Sequence, residues 1–114
     1  MVNVSVVARH MEVTEAMRSY AEEKVAKLPR LYNGLQSVVV TFDRDAGEST
    51  LEIVATGKRK HVFVARHRDR EMTACVDQCI HKLEEQLRRH KSRVRDRQGP
   101  PHEQTMIPER PGQD

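Results

Sequence analysis

At 114 residues the chain has room for one domain and not two. Apolar residues make up 37%, charged residues 32% and aromatic residues 4%, with no Trp, which predicts a small aliphatic core under a charged surface and argues against an RNA module built on aromatic stacking platforms. The net charge of +3 is segregated: residues 82–97 hold seven basic side chains against three acidic ones, residues 57–70 hold six against one, and the remainder is net negative. Such segregation costs self-repulsion unless a polyanion balances it, and the sequence pI of about 9.1 points to nucleic acid.

Residues 2–8 alternate apolar and polar side chains and read as a half-buried strand. A helix follows, with Thr14 as its cap and Glu15 in its first turn. Met17, Tyr20, Ala21, Lys24, Val25 and Leu28 keep helical spacing, the methylenes of Lys24 lying along the apolar edge. Pro29 ends the helix and Asn33-Gly34 makes a turn. Leu35 to Asp43 predicts a strand with Val38, Val40 and Phe42 on one face. Asp43 to Glu48 reads as a hairpin loop, and Ser49 to Thr56 as the return strand with Leu51, Ile53 and Ala55 inward. Gly57-Lys58-Arg59-Lys60 is a basic turn. In the strand from His61 to His67, Val62/Val64 and Phe63/Ala65 are equally plausible core sets. The last helix spans about Asp69 to Arg97, with Asp69 as its cap and Met72, Cys75/Val76, Cys79/Ile80, Leu83, Leu87 and Val94 as its apolar stripe. Residues 98–114 contain Pro100, Pro101, Pro108 and Pro111 and predict a disordered tail after a domain spanning 1–97.

The order β-α-β-β-β-α predicts an α+β two-layer sandwich. Its four-stranded sheet should carry both helices on one face, the layout of a double-stranded-RNA-binding domain, and leave a mostly polar face open. Side by side, the helices would bring Lys24, Lys27 and Arg30 near the basic face of the last helix. Neither a signal peptide nor an apolar run of spanning length stands out, so a soluble cytoplasmic protein is expected.

Two stretches resemble the ribosome hibernation promoting factors, the family that includes ribosome-associated inhibitor A (protein Y). Residues 11–28, MEVTEAMRSYAEEKVAKL, look like that family's first helix, and residues 81–93, HKLEEQLRRHKSR, look like its last. With the element order, the resemblance covers about residues 1–97. It implies a monomeric, non-enzymatic factor that binds the small ribosomal subunit and its rRNA in the mRNA and tRNA channel. There it would occlude the aminoacyl and peptidyl sites and store ribosomes inactive, with no cofactor, metal, membrane or small-molecule substrate. Carried over by position, the rRNA-gripping residues become Lys24 and Lys27 on the first helix and Lys82, Arg89 and Arg93 on the last. Charge and proximity add Arg30, Arg88, Lys91 and Arg95. Two positions depart from the pattern: Thr73 stands where the family often has tyrosine, and Glu85 where some members are basic.

Other patterns read more plainly. His67-Arg68-Asp69 spells the start of a kinase catalytic loop, but the chain is too short for that fold. Cys75 and Cys79 share one helix face, so they read as small buried residues and not as a disulfide or zinc pair. Asn3-Val4-Ser5 matches a glycosylation sequon inside a strand. His81 and His90 read as solvated surface histidines. A general duplex-RNA-binding module is the alternative reading, and an RNA-cleaving enzyme using His61 and His67 a third.

Overall fold

The computed structural model describes residues 2–98, and of 92–98 the backbone course alone. The elements are β1 (Asn3–Arg9), α1 (Glu15–Val25), β2 (Leu35–Asp45), β3 (Glu48–Gly57), β4 (Val62–Asp69) and α2 (Met72–Gln98). They build the expected α+β sandwich, with one sheet in the order β1-β2-β3-β4. β1 pairs parallel to β2 through the α1 crossover, and β2, β3 and β4 form an antiparallel meander. The expected tail over 98–114 lies, apart from Gln98, outside the described residues.

Local chemistry explains the boundaries. Thr14 Oγ1 accepts the Met17 N–H at 3.1 Å, filling one of the orphan donors at the start of α1. α1 stops at Val25, and Leu28–Arg30 tightens into one 3-10 turn around Pro29, so the buried Leu28 belongs to that turn and not to the helix. The hairpin between β2 and β3 is shorter than expected. Ala46 (φ 53°) and Gly47 (φ 81°) alone make it, both left-handed as a two-residue hairpin turn requires. At the other end of the same pair, Leu35 faces Gly57 while Ser37 faces Thr56, so Gln36 is bulged out. Asp69 is not the N-cap of α2. It accepts the Glu71 N–H at 3.0 Å from the end of β4, one turn before the helix proper.

The core is aliphatic, as the composition requires. Val38, Val40 and Phe42 of β2 and Leu51, Ile53 and Ala55 of β3 meet Cys75, Val76, Cys79, Leu83 and Leu87 of α2, all fully buried. Each large side chain so placed contributes about 1.5–3 kcal/mol. Phe63 and Ala65 face the helices, because Ala65 pairs with inward Ile53 and Phe63 with inward Ala55. Val62 and Val64 therefore face outward, 56% and 42% exposed.

The open face is less polar than the sequence suggests. Ladder register lines up Val39, Val54 and Val64 across its centre. Beyond them, Arg66 pairs with Glu52 at 3.4 Å and Arg68 with Glu48 at 2.6 Å. The band emerges only when three strands come into register.

Candidate nucleic-acid interface

Topology gathers cations that the sequence keeps apart. β1, β2 and β4 run one way, and each helix returns the other way, so α1 and α2 are parallel. Tyr20 of α1 fixes their stagger by donating its hydroxyl to Asp77 Oδ1 of α2 at 2.6 Å. That hydrogen bond also holds the Tyr20 phenol above its usual range. The C-terminal parts of both helices thus share one end of the molecule with the turn between β3 and β4. The Lys58 N–H bonds the Gly34 carbonyl at 3.1 Å, and the Leu35 N–H that of Tyr32 at 3.4 Å, tying that turn to the segment following Arg30. Lys24, Lys27, Arg30, Lys58, Arg59, Lys60, Arg88, Arg89 and Lys91 collect at this end.

Pairing separates these cations from Arg66 and Arg68 of the second basic stretch. Among the described residues, none of the nine forms an ion pair with a carboxylate. Lys24 lies over the Tyr20 ring at 5.3 Å, and Lys27, Arg30, Arg88, Arg89 and Lys91 are exposed. Arg66 and Arg68 belong to the second basic stretch of the sequence, but Glu52 and Glu48 neutralise them on the open face. The sequence marks the Lys58-Arg59-Lys60 turn as basic, and only the fold places it beside the helix ends. Nearby Glu85 faces His81 at 3.5 Å, an ion pair when that histidine is protonated. His81 is exposed, as read.

Lys82 occupies a different position from the others. Its Nζ donates to the Arg66 carbonyl at 2.6 Å, and one helical turn on, Gln86 Nε2 donates to the Val64 carbonyl at 2.8 Å. A four-residue advance along a helix, about 6 Å, nearly matches two residues of strand, about 6.8 Å, so the pair climbs the outer edge of β4 in step. These bonds occupy carbonyls that would otherwise template another strand. Arg93 and Arg95 continue α2, and their side chains lie outside the described residues.

His90 corrects the sequence reading. It is not a solvated histidine: 8% exposed, it packs among three rings from two other segments. Tyr32 lies 4.8 Å away, His61 4.6 Å and Phe63 5.3 Å, centroid to centroid. Its position three residues after Leu87 continues the buried stripe, a signal the spacing carried and the residue type hid.

The remaining constellations are structural. Cys75 and Cys79 are buried free thiols whose Sγ atoms each lie 3.5 Å from a β3 carbonyl, those of Ser49 and Leu51. Burial pushes both thiols up, Cys79 to about 12. His61 immediately precedes β4 and His67 lies near its far end, roughly 20 Å apart at strand rise, too far to share a proton-transfer step. His67 faces Asp69 at 3.7 Å. No group of three His, Cys, Asp or Glu able to hold a metal ion occurs among the described residues, and no described helix is long and apolar enough to cross a membrane.

Comparison with known proteins agrees with this architecture. Residues 4–95 match the family model described as sigma 54 modulation protein / S30EA ribosomal protein. A ribosome hibernation promotion factor from Staphylococcus aureus is 31% identical over 96 residues, 82% of this chain and 50% of that protein. The chain thus spans about half the length of this curated relative. The crystal structure of the Thermus thermophilus protein Y N-terminal domain superposes with a TM-score of 0.71 at 27% identity, covering 77% of this chain and 98% of that one. A ribosomal subunit interface protein from Coxiella burnetii gives 0.74 at 18% identity over 81% and 99%, a likeness that speaks for the fold alone. With a family match across nearly all of the described residues and these relatives beside it, the chain belongs to the sigma 54 modulation protein / S30EA ribosomal protein family, that of the ribosome hibernation factors.

Proposed function

We propose that this protein is a cytoplasmic ribosome hibernation factor. It binds the small ribosomal subunit in the mRNA and tRNA channel and inhibits translation by occupying the aminoacyl and peptidyl sites. The observation that carries the reading is the collection of unpaired cations at one end of the helical layer, in a chain of this family. Lys24, Lys27, Arg30, Arg88, Arg89 and Lys91, continued by Arg93 and Arg95, grip the phosphate backbone. Lys82 adds its charge while one of its N–H groups holds the β4 edge. Phosphate contacts position a protein on RNA without reading sequence, which suits a rigid channel recognised by shape. Binding alone suffices: no bond is made or broken, and one copy acts on one subunit. The domain responsible is residues 1–97.

Sucrose-gradient cosedimentation with separated subunits tests this. Wild type should travel with the small subunit at low salt, and Arg88→Glu/Arg89→Glu should stay at the top. Excess wild-type protein should also halt cell-free translation. Equal capture by a plain RNA duplex competitor would replace the channel by general duplex binding, and free sedimentation of wild type would overturn the reading.

A further inference from the structure

The composition leaves this chain four Phe or Tyr rings. Phe42 is fully buried and Tyr20 is bound to Asp77. The other two, Tyr32 and Phe63, stand together at the cationic end, 6.1 Å apart, joined by His90 and His61. The inner rings are fixed: Phe63 and His90 are each 8% exposed, and Tyr32 lies across the Cα atoms of Gly34 and Gly57. His61 is the exposed outer member.

The three segments that meet here carry no carboxylate. None occurs from Leu28 to Phe42, from Gly57 to Arg68 or from Gln86 to Arg95. The turn leading into His61 presents Lys58, Arg59 and Lys60, all exposed. Arg59 (φ 59°) and Lys60 (φ 61°) both hold left-handed backbone, where glycine or asparagine would sit with less strain. Strain retained at consecutive cationic residues is a mark of a working surface. An exposed ring on a rigid aromatic base, ringed by cations and clear of acids, suits a flat π system attached to phosphates.

We infer that the outer face of His61, backed by Tyr32, His90 and Phe63, is a stacking seat for one unpaired nucleobase of RNA, with Lys58, Arg59, Lys60, Arg89 and Lys91 holding the flanking phosphates. This deepens the ribosome-binding reading and rests on it: the base is one splayed from rRNA. Stacking on a preorganised ring avoids the cost of ordering a platform at the moment of binding. It also gives the interface a contact that salt does not screen.

Two readouts test it. Affinity for purified small subunits is measured across a salt series for wild type, His61→Ala and His61→Phe. Quenching of a single-stranded RNA dodecamer carrying one central 2-aminopurine is measured for the same proteins. His61→Ala should weaken subunit binding roughly 5- to 100-fold with an unchanged salt slope and abolish the quenching. His61→Phe should restore both. Because His61 is exposed, thermal unfolding should be unaltered in either variant. Subunit binding by His61→Ala equal to wild type, or failure of His61→Phe to restore it, would overturn the stacking seat and leave ribosome binding standing. Absence of wild-type subunit binding would instead remove the parent reading, and the quenching would then decide the seat alone.

Discussion

The clearest consequence of the pairing pattern is a salt dependence that differs between arginines. Nine unpaired cations face one end of the molecule, and Arg66 and Arg68 are held by Glu52 and Glu48 on the open sheet face. If roughly five of the nine meet phosphates, log K falls with log salt at a slope near −4, using about 0.7–0.9 per contact. Between 50 and 200 mM salt, affinity for the small subunit then drops by a factor on the order of several hundred. Arg89→Ala removes one contact and should flatten the slope by nearly one unit. Arg66→Ala removes an arginine whose charge Glu52 already offsets, and should leave the slope within a few tenths of wild type. Filter binding with labelled small subunits at five salt concentrations reads both. A wild-type slope shallower than about −2, or equal flattening by Arg66→Ala and Arg89→Ala, would refute the assignment of the interface to the unpaired set.

Packing and ionisation make further predictions. A Cβ on Gly34 would fall 2.3 Å from the Tyr32 ring, so Gly34→Ala must displace that ring from Phe63 and His90, at a cost of about 1–3 kcal/mol. Urea unfolding should show this loss largely disappearing in a Tyr32→Ala background, and equal losses in both backgrounds would disprove the close approach. Gln86→Leu leaves the Val64 carbonyl without its donor on the β4 edge and should cost about 1 kcal/mol, measurable as a lower urea midpoint, with increased self-association by light scattering. The Asp69 carboxyl is held below its ordinary range chiefly by the Glu71 N–H. Its stabilising contribution is therefore complete above the unfolded-state pKa and lost as pH falls through the lower folded value. Asp69→Asn should lower stability at neutral pH and reduce its loss in acid, as followed by circular dichroism. With the Cys79 thiol raised to about 12 by burial, native protein should react with a disulfide reagent far more slowly than urea-unfolded protein at pH 8.

How far the sequence speaks depends on the range of the interaction. α1 and α2 were legible because their spacing is local, and Thr14 is the cap the pattern implies. The facing of β4 was not legible, since Val62/Val64 and Phe63/Ala65 are equally apolar and only pairing with Ile53 and Ala55 separates them. The basic stretch at 57–70 read as a single cluster. Register divides it, sending Arg66 and Arg68 to carboxylates on the open face and leaving the 58–60 turn beside the helix ends. Lys82 read as one more cation of the helix, since nothing local reveals that an edge carbonyl waits beside it. His90 was hidden by its own chemistry: the stripe reached it, and a polar residue at a core position was read as surface.

The parallel pairing of β1 bears on how the chain is made. Asn3 finds its partner in Ser37 and Arg9 in Asp43, whereas β2 meets β3 across a two-residue turn. Closing the longer loop carries the greater entropic cost, and the contacts that reward it arrive after the meander's local ones. On a nascent chain, β1 emerges before β2 and has no complete ladder to join until residue 43 has been added. β1 therefore waits exposed through the synthesis of α1 and most of β2 before its inner edge is covered.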